Sequence, residues 1–227
     1  MAVNFLIFSF MSKWHKSILL DELPEFKRSV LEVLRQPLED RKISISRAKF
    51  SIDYPASFML VAAMNPCPCG YYNHPEKECV CSAGSIQKYL NKISGPLLDR
   101  IDIHIEIVPV PFEKLTTNTK TEKSSTIRDR VIRTRKIQEE RFKEINNVHC
   151  NAQMSSSLLR QYAVLDNESN KLLKIAMEKL HLSARAYDKI LKVARTIADM
   201  EESEHIKSKH IAEAINYRNL DREGWAN

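Results

Sequence analysis

The sequence predicts an α/β unit with few parallel strands and a β-hairpin, followed by an all-α domain. Three observations carry this. Two short apolar runs, Ile18–Leu20 and Phe58–Met64, have the length of buried strands, and each is followed by polar residues. Between them, Ile43 and Ile45 alternate with serines, as do Phe50, Ile52 and Tyr54 with polar neighbours, on either side of Ser46-Arg47-Ala48-Lys49. That period of two reads as a hairpin with a basic tip. After about residue 124 only the helical period remains, broken by serines suited to capping.

Taken in order, Ile18-Leu19-Leu20 is a strand that ends in Asp21-Glu22, and Pro24 stands at a helix start. Phe26, Val30, Leu31 and Leu34 repeat at helical spacing, which predicts one helix stopped by Pro37. The hairpin and the Phe58–Met64 strand follow, the latter ending in Asn65. Ile101, Ile103, Ile105 and Ile107 alternate and predict a third strand over 101–108. Residues 112–123 are polar and Thr/Lys-rich, a linker. Ser124 or Ser125 is expected to cap the first helix of the bundle, Ser183 a later one and Ser208 the last. The expected division is 1–16 (an atypical start), 17–111, 112–123, 124–222 and a tail at 223–227.

Composition excludes several classes. Ordinary glycine usage of ~7% would give roughly 16 glycines, but the 227 residues hold four, at 70, 84, 95 and 224. No pair of them fits a P-loop, and no three fit a dinucleotide-binding fingerprint. The apolar start, Ala2–Met11, is shorter than the ~20 residues that span a bilayer and lacks a basic leader and a cleavage pattern. A cytoplasmic protein with no membrane partner is expected. A net charge of +6 allows a polyanionic partner but reads first as a mixed solvated surface. The basic run Arg128–Arg141, interspersed with Glu139 and Glu140, reads as a solvated helix face.

Five places carry chemistry. Asp21 and Glu22 after an apolar strand would lie at the carboxyl edge of a sheet, where α/β ligands bind. There Asp21 could hold Mg²⁺ and Glu22 activate water, although an acidic helix start accounts for the same pair. Asn65 could reach a phosphate or the lytic water, or be a turn residue before Pro66. Arg100, between Asp99 and Asp102, suits a finger acting on a neighbouring subunit or a surface ion pair. Arg185, in a helix first turn, opposes the helix dipole unless it faces an anion. Cys67-Pro-Cys69-Gly and Cys79-Val-Cys81 enclose a nine-residue loop with His74. Four thiolates so placed can close a tetrahedral zinc site, and free thiols are the alternative. Cys150 stands apart.

The stretches LLDELPEFKRSVLEVLRQPLEDR, ISRA, VAAMNPCPCGYY, CSAGSIQKYLNKISGPLLDRIDIHIE and LSARAYDKILKVARTIADM resemble magnesium-chelatase-like AAA+ ATPases of the ComM (YifB) type. The resemblance runs from about Ser17 to Asp221. It implies a partial AAA+ core with a helical lid, Asp21 and Glu22 as the Walker B pair, Asn65 as sensor 1, Arg100 as arginine finger and Arg185 as sensor 2. It also implies a pre-sensor hairpin whose Arg47 and Lys49 touch nucleic acid, Mg-ATP as cofactor, and a hexameric homo-oligomer that remodels DNA. The Walker A half is not in this sequence, so the isolated chain is expected not to hydrolyse ATP. The resemblance also admits a chelatase subunit acting in porphyrin metallation. A non-enzymatic, zinc-stapled module that binds nucleic acid or a subunit is the third reading.

Overall fold

A computed structural model of the chain describes residues 16–47, 50–107, 110 and 122–218, with the side chains of Lys16 and Arg47 excepted. It falls into two compact units, the first ending at Ile101 and the second beginning at Asp102. Arg47 as a side chain, Lys49 altogether, residues 1–15 and most of the linker 112–123 lie outside the described residues.

The first unit is α/β, as expected. Strand β1 (Lys16–Leu20) pairs in parallel with β4 (Phe58–Ala62), with Leu20 opposite Ala62. Strands β2 (Lys42–Arg47) and β3 (Phe50–Pro55) form the antiparallel hairpin, Ile45 opposite Ile52 and Ile43 opposite Tyr54. On the far side of the ribbon Asp53 accepts hydrogen bonds from Lys42 at 2.6 Å and Ser44 at 2.6 Å. Leu19, Met59 and Val61 remain exposed on one face of the parallel pair, unusual for parallel strands, whose two faces are generally covered.

The single helix expected at 26–37 is instead a 3₁₀ turn (Leu23–Glu25), α1 (Arg28–Val33) and α2 (Arg35–Asp40), joined at Leu34. Pro37 does not stop the run. It lies in the first turn of α2, where a missing N–H leaves no helical carbonyl unpaired, and α2 ends at Arg41 in the left-handed region (φ 54°). Two further helices were not expected, α3 (Ala83–Leu90) and α4 (Gly95–Leu98), each opened by a serine hydroxyl, Ser82 and Ser94. Ser94 also donates to Glu32 at 2.6 Å, tying α4 to α1. The third strand is a further correction: residues 101–107 form none. Ile103, Ile105 and Ile107 stand exposed, and the alternation there finds no strand to pair with among the described residues.

The second unit is helical: α5 (Ser124–Phe142), α6 (Ser156–Tyr162), α7 (Asn167–Lys179), α8 (Ala184–Met200) and α9 (Ser208–Asn216). Ser183 caps α8 as expected, accepting from Ala186 N–H at 3.1 Å. Ser124, Ser125 and Ser208 do not cap. Helix α5 starts from Lys123, and α9 from Lys207, whose N–H donates to Nδ1 of His210. Helix α8 packs against α5, α6 and α9. Ala186, Ile190, Ala194 and Ala198, one row at i, i+4 spacing, are all fully buried, and the small alanines let neighbouring backbones approach.

One polar node sits inside this core. Asp199, 1% exposed, accepts from Arg141 at 2.5 and 2.6 Å, from Arg195 Nε at 3.1 Å and from Asn151 at 2.7 Å. Arg141 therefore leaves the solvated face on which the charge pattern places it. Arg130 and Arg133 fit that face better, paired at the surface with Glu122 and Glu202.

Asp199→Ala would remove the carboxylate shared by buried Arg195 and partly buried Arg141 and is expected to destabilise the helical unit by about 3–5 kcal/mol, read by urea denaturation. A pH effect is expected at Glu201. Hydrogen bonds from Lys209 and then His210 hold its carboxyl at about 2, below the ordinary 4.5. The stability this lends is complete above the unfolded value and is lost as pH falls through about 2. Glu201→Gln should therefore flatten the acid limb of a stability–pH profile between pH 5 and 2.

Candidate functional site

Strand β1 stops at Leu20 because the next two residues leave the ladder. Asp21 Oδ1 accepts the Glu22 N–H at 2.9 Å, and Glu22 adopts φ 51°, ψ 48°. A non-glycine residue in the left-handed region costs about 1–2 kcal/mol, so the turn is held by its surroundings. The Ala63 peptide provides that hold. Its N–H donates to Leu20 O at 2.9 Å, and its carbonyl accepts Leu23 N–H at 3.0 Å. The acidic pair is thereby pinched between two hydrogen bonds to the end of β4, with Leu23 and Pro24 buried behind it. Both carboxylates stay exposed.

Asn65 lies two residues beyond Ala63 and is exposed, at the same carboxyl end of the parallel pair. Its backbone amide meets the hydroxyl of Tyr89, a buried residue of α3. Burial pushes the Tyr89 hydroxyl up; the Asn65 amide opposes this, and the charges of Glu25, Glu22 and Cys67 add to it. Tyr89 thus ties α3 to the Asn65 backbone. Sequence reasoning did not single it out, although the Ile86–Tyr89–Leu90 spacing is that of a buried helix face.

Arg100 follows α4. Its guanidinium, 11% exposed, pairs with Glu39 of α2, and Nη1 donates to Pro96 O at 2.6 Å. The ion pair is made with Glu39, a partner the local sequence did not suggest. Arg185 is exposed in the first turn of α8, in the other compact unit.

The loop after β4 gathers the four cysteines. The Sγ atoms of Cys67, Cys69 and Cys79 lie 3.4, 3.7 and 3.6 Å apart, and with Cys81 all four fall within 4.8 Å of one another. All are free thiols, and Cys67 is fully buried. Gly70, at φ 82°, turns the chain so that its N–H reaches Cys67 O at 3.0 Å. The backbone amide of Tyr71 draws the Cys69 thiol down to about 6. Cys79 goes the other way, to about 12: the Cys81 amide pulls it down, but burial and the thiols of Cys69 and Cys67 outweigh that. Thiolates this close repel one another unless a cation lies among them. His74 does not join the cluster, because its Nδ1 accepts the N–H groups of Glu76 and Lys77 at 3.0 and 3.1 Å.

With this geometry in hand, comparison with known proteins is decisive for the family. Residues 10–115 match the family model of magnesium chelatase, subunit ChlI, and residues 121–218 match that of the ChlI C-terminal region. The first match begins inside the segment 1–16 read as atypical. The chain belongs to the magnesium-chelatase-like family. It is 45% identical over 90% of its length to the competence protein ComM of Haemophilus influenzae and 43% identical over 92% to the uncharacterized protein YifB of Escherichia coli. A Mycobacterium tuberculosis protein, Rv2897c, is 34% identical over 92%. The chain spans only 39–41% of the length of these relatives. No helix among the described residues is long and apolar enough to cross a membrane.

The strained turn gives a direct test. Glu22→Asn should raise stability by up to about 1 kcal/mol, because asparagine tolerates the left-handed region. Urea midpoints of the two proteins check this.

Proposed function

We propose that this chain is the hydrolysis-and-sensing portion of a ComM-type AAA+ ATPase, which works in the cytoplasm as a hexameric ring and remodels DNA. One observation carries the reading: the Ala63 peptide brings Asp21, Glu22 and Asn65 to one end of the parallel pair. The exposed carboxylate oxygens of Asp21 are hard donors of the kind Mg²⁺ takes. When bound with ATP, that ion would supply charge neutralisation to the phosphates. Asp21 holds the ion, Glu22 orients and deprotonates the attacking water, and the Asn65 amide hydrogen-bonds that water or the γ-phosphate. Arg100 serves a neighbouring subunit's site, exchanging Glu39 for phosphate on assembly. Arg185 senses the nucleotide from the helical lid. Arg47 and Lys49 contact nucleic-acid phosphates. Similarity to a competence protein favours this over porphyrin metallation.

None of the four glycines makes a phosphate loop, so the chain alone is expected to release no phosphate from ATP above background. Joined to the N-terminal part of the Haemophilus relative, which by family resemblance carries that loop, it should turn ATP over. Glu22→Gln should then cut the rate by at least about 100-fold, and Arg100→Ala by about 10³-fold or more. Glu22-dependent turnover by the chain alone, or a fusion indifferent to Glu22→Gln, overturns the reading.

A further inference from the structure

We propose that the loop 67–81 is a structural zinc site in which Cys67, Cys69, Cys79 and Cys81 bind one Zn²⁺ and fasten the end of β4 to the start of α3. The first argument is size. A tetrahedron with metal–sulfur bonds of ~2.3 Å has sulfur–sulfur edges of about 3.8 Å. Three of the edges, 3.4, 3.6 and 3.7 Å, fall close to that, and the fourth sulfur lies within 4.8 Å of the rest. The same separations are far longer than a disulfide bond of ~2.05 Å.

Donor chemistry selects the ion. Four thiolates with tetrahedral spacing suit Zn²⁺ or iron, not the hard cations that prefer oxygen. With four protein ligands there is no open position, the arrangement of structural rather than catalytic zinc. His74 is withheld by its own bonds to the Glu76 and Lys77 amides. The surroundings are those of a metal–thiolate group. Tyr72 N–H donates to Cys67 Sγ at 3.3 Å, and backbone amides meet the other sulfurs, Tyr71 and Val80 at Cys69, Cys81 at Cys79 and Cys69 at Cys81. Such second-layer donors spread the charge of a tetrathiolate. Loading is a ligand exchange without redox change: one Zn²⁺ replaces the protons of the four thiols, which leave to solvent.

Position gives the site its role. Cys67 follows Asn65 by two residues at the end of β4, and Cys81 immediately precedes Ser82, whose hydroxyl caps α3 through Ser85 N–H at 3.3 Å. Helix α3 in turn carries Tyr89, which meets the Asn65 amide. One ion would therefore fix both ends of a loop that has no regular structure of its own between 67 and 82. The site stands whatever nucleotide chemistry the chain performs.

The test uses the full chain purified in reducing buffer without added metal. Elemental analysis should find about one zinc per chain, and a thiol reagent under native conditions should count Cys150 as the fast-reacting thiol, with four more released by chelator. Cobalt(II) exchanged into the site should give the intense visible bands and sulfur-to-metal charge transfer of a tetrahedral thiolate complex. The Cys69→Ser/Cys79→Ser variant should lose zinc at least about tenfold, while Cys150→Ser and His74→Ala keep it. Since the double variant could misfold, the helical signal of the second unit and the zinc content of Cys150→Ser are measured beside it. Absence of zinc from the native chain, iron in its place, five thiols reacting alike, or zinc retained by the double variant would each overturn the proposal.

Discussion

The site depends on the Ala63 peptide. Its two hydrogen bonds lie on either side of Asp21 and Glu22, one to Leu20 and one from Leu23. They continue the parallel ladder one residue past β4 and at the same time close the acidic turn. Glu22 can occupy the left-handed region only because that frame, together with buried Leu23 and Pro24, leaves the turn nowhere easier to go. The same strand then delivers Asn65 and, two residues later, Cys67. The acidic turn follows β1, and the amide and the cysteine loop follow β4, at the same end of the parallel pair.

The helical unit has its own organising constraint. A single carboxylate, Asp199, satisfies Arg141 from α5, Arg195 from α8 and Asn151 from the segment between α5 and α6. The charges of buried Arg195 and partly buried Arg141 would be costly to withdraw from water without it. Geometry is therefore specified twice, by the apolar row on α8 and by a polar node that tolerates few alternative arrangements.

Much of this was legible beforehand, for identifiable reasons. Strands β1 to β4 announced themselves through apolar runs and alternation, and the Ser183 cap through its place before a periodic run. Pro37 misled because a proline ends a helix only when an upstream carbonyl needs its N–H, and in the first turn of α2 none does. The alternation at 101–107 misled because a strand is a relation between two segments, and period two in one segment supplies no partner. Arg141 looked solvated because its counter-charge is 58 residues away in the chain, and Glu39 could not be read as the partner of Arg100 for the same reason.

What the sequence determined by itself was chemistry and order: a carboxylate pair after an apolar strand, an amide after the next, two C-x-C pairs around a loop, and helices thereafter. Those properties are local, set by residue type and spacing. The tertiary structure decided proximity. It set Asp21, Glu22 and Asn65 at one end of the parallel pair, drew four sulfurs within 4.8 Å, and gave Arg100 to Glu39. Proximity between distant residues is fixed by which backbone groups must pair and which side chains must be buried together, and that is a property of the folded chain.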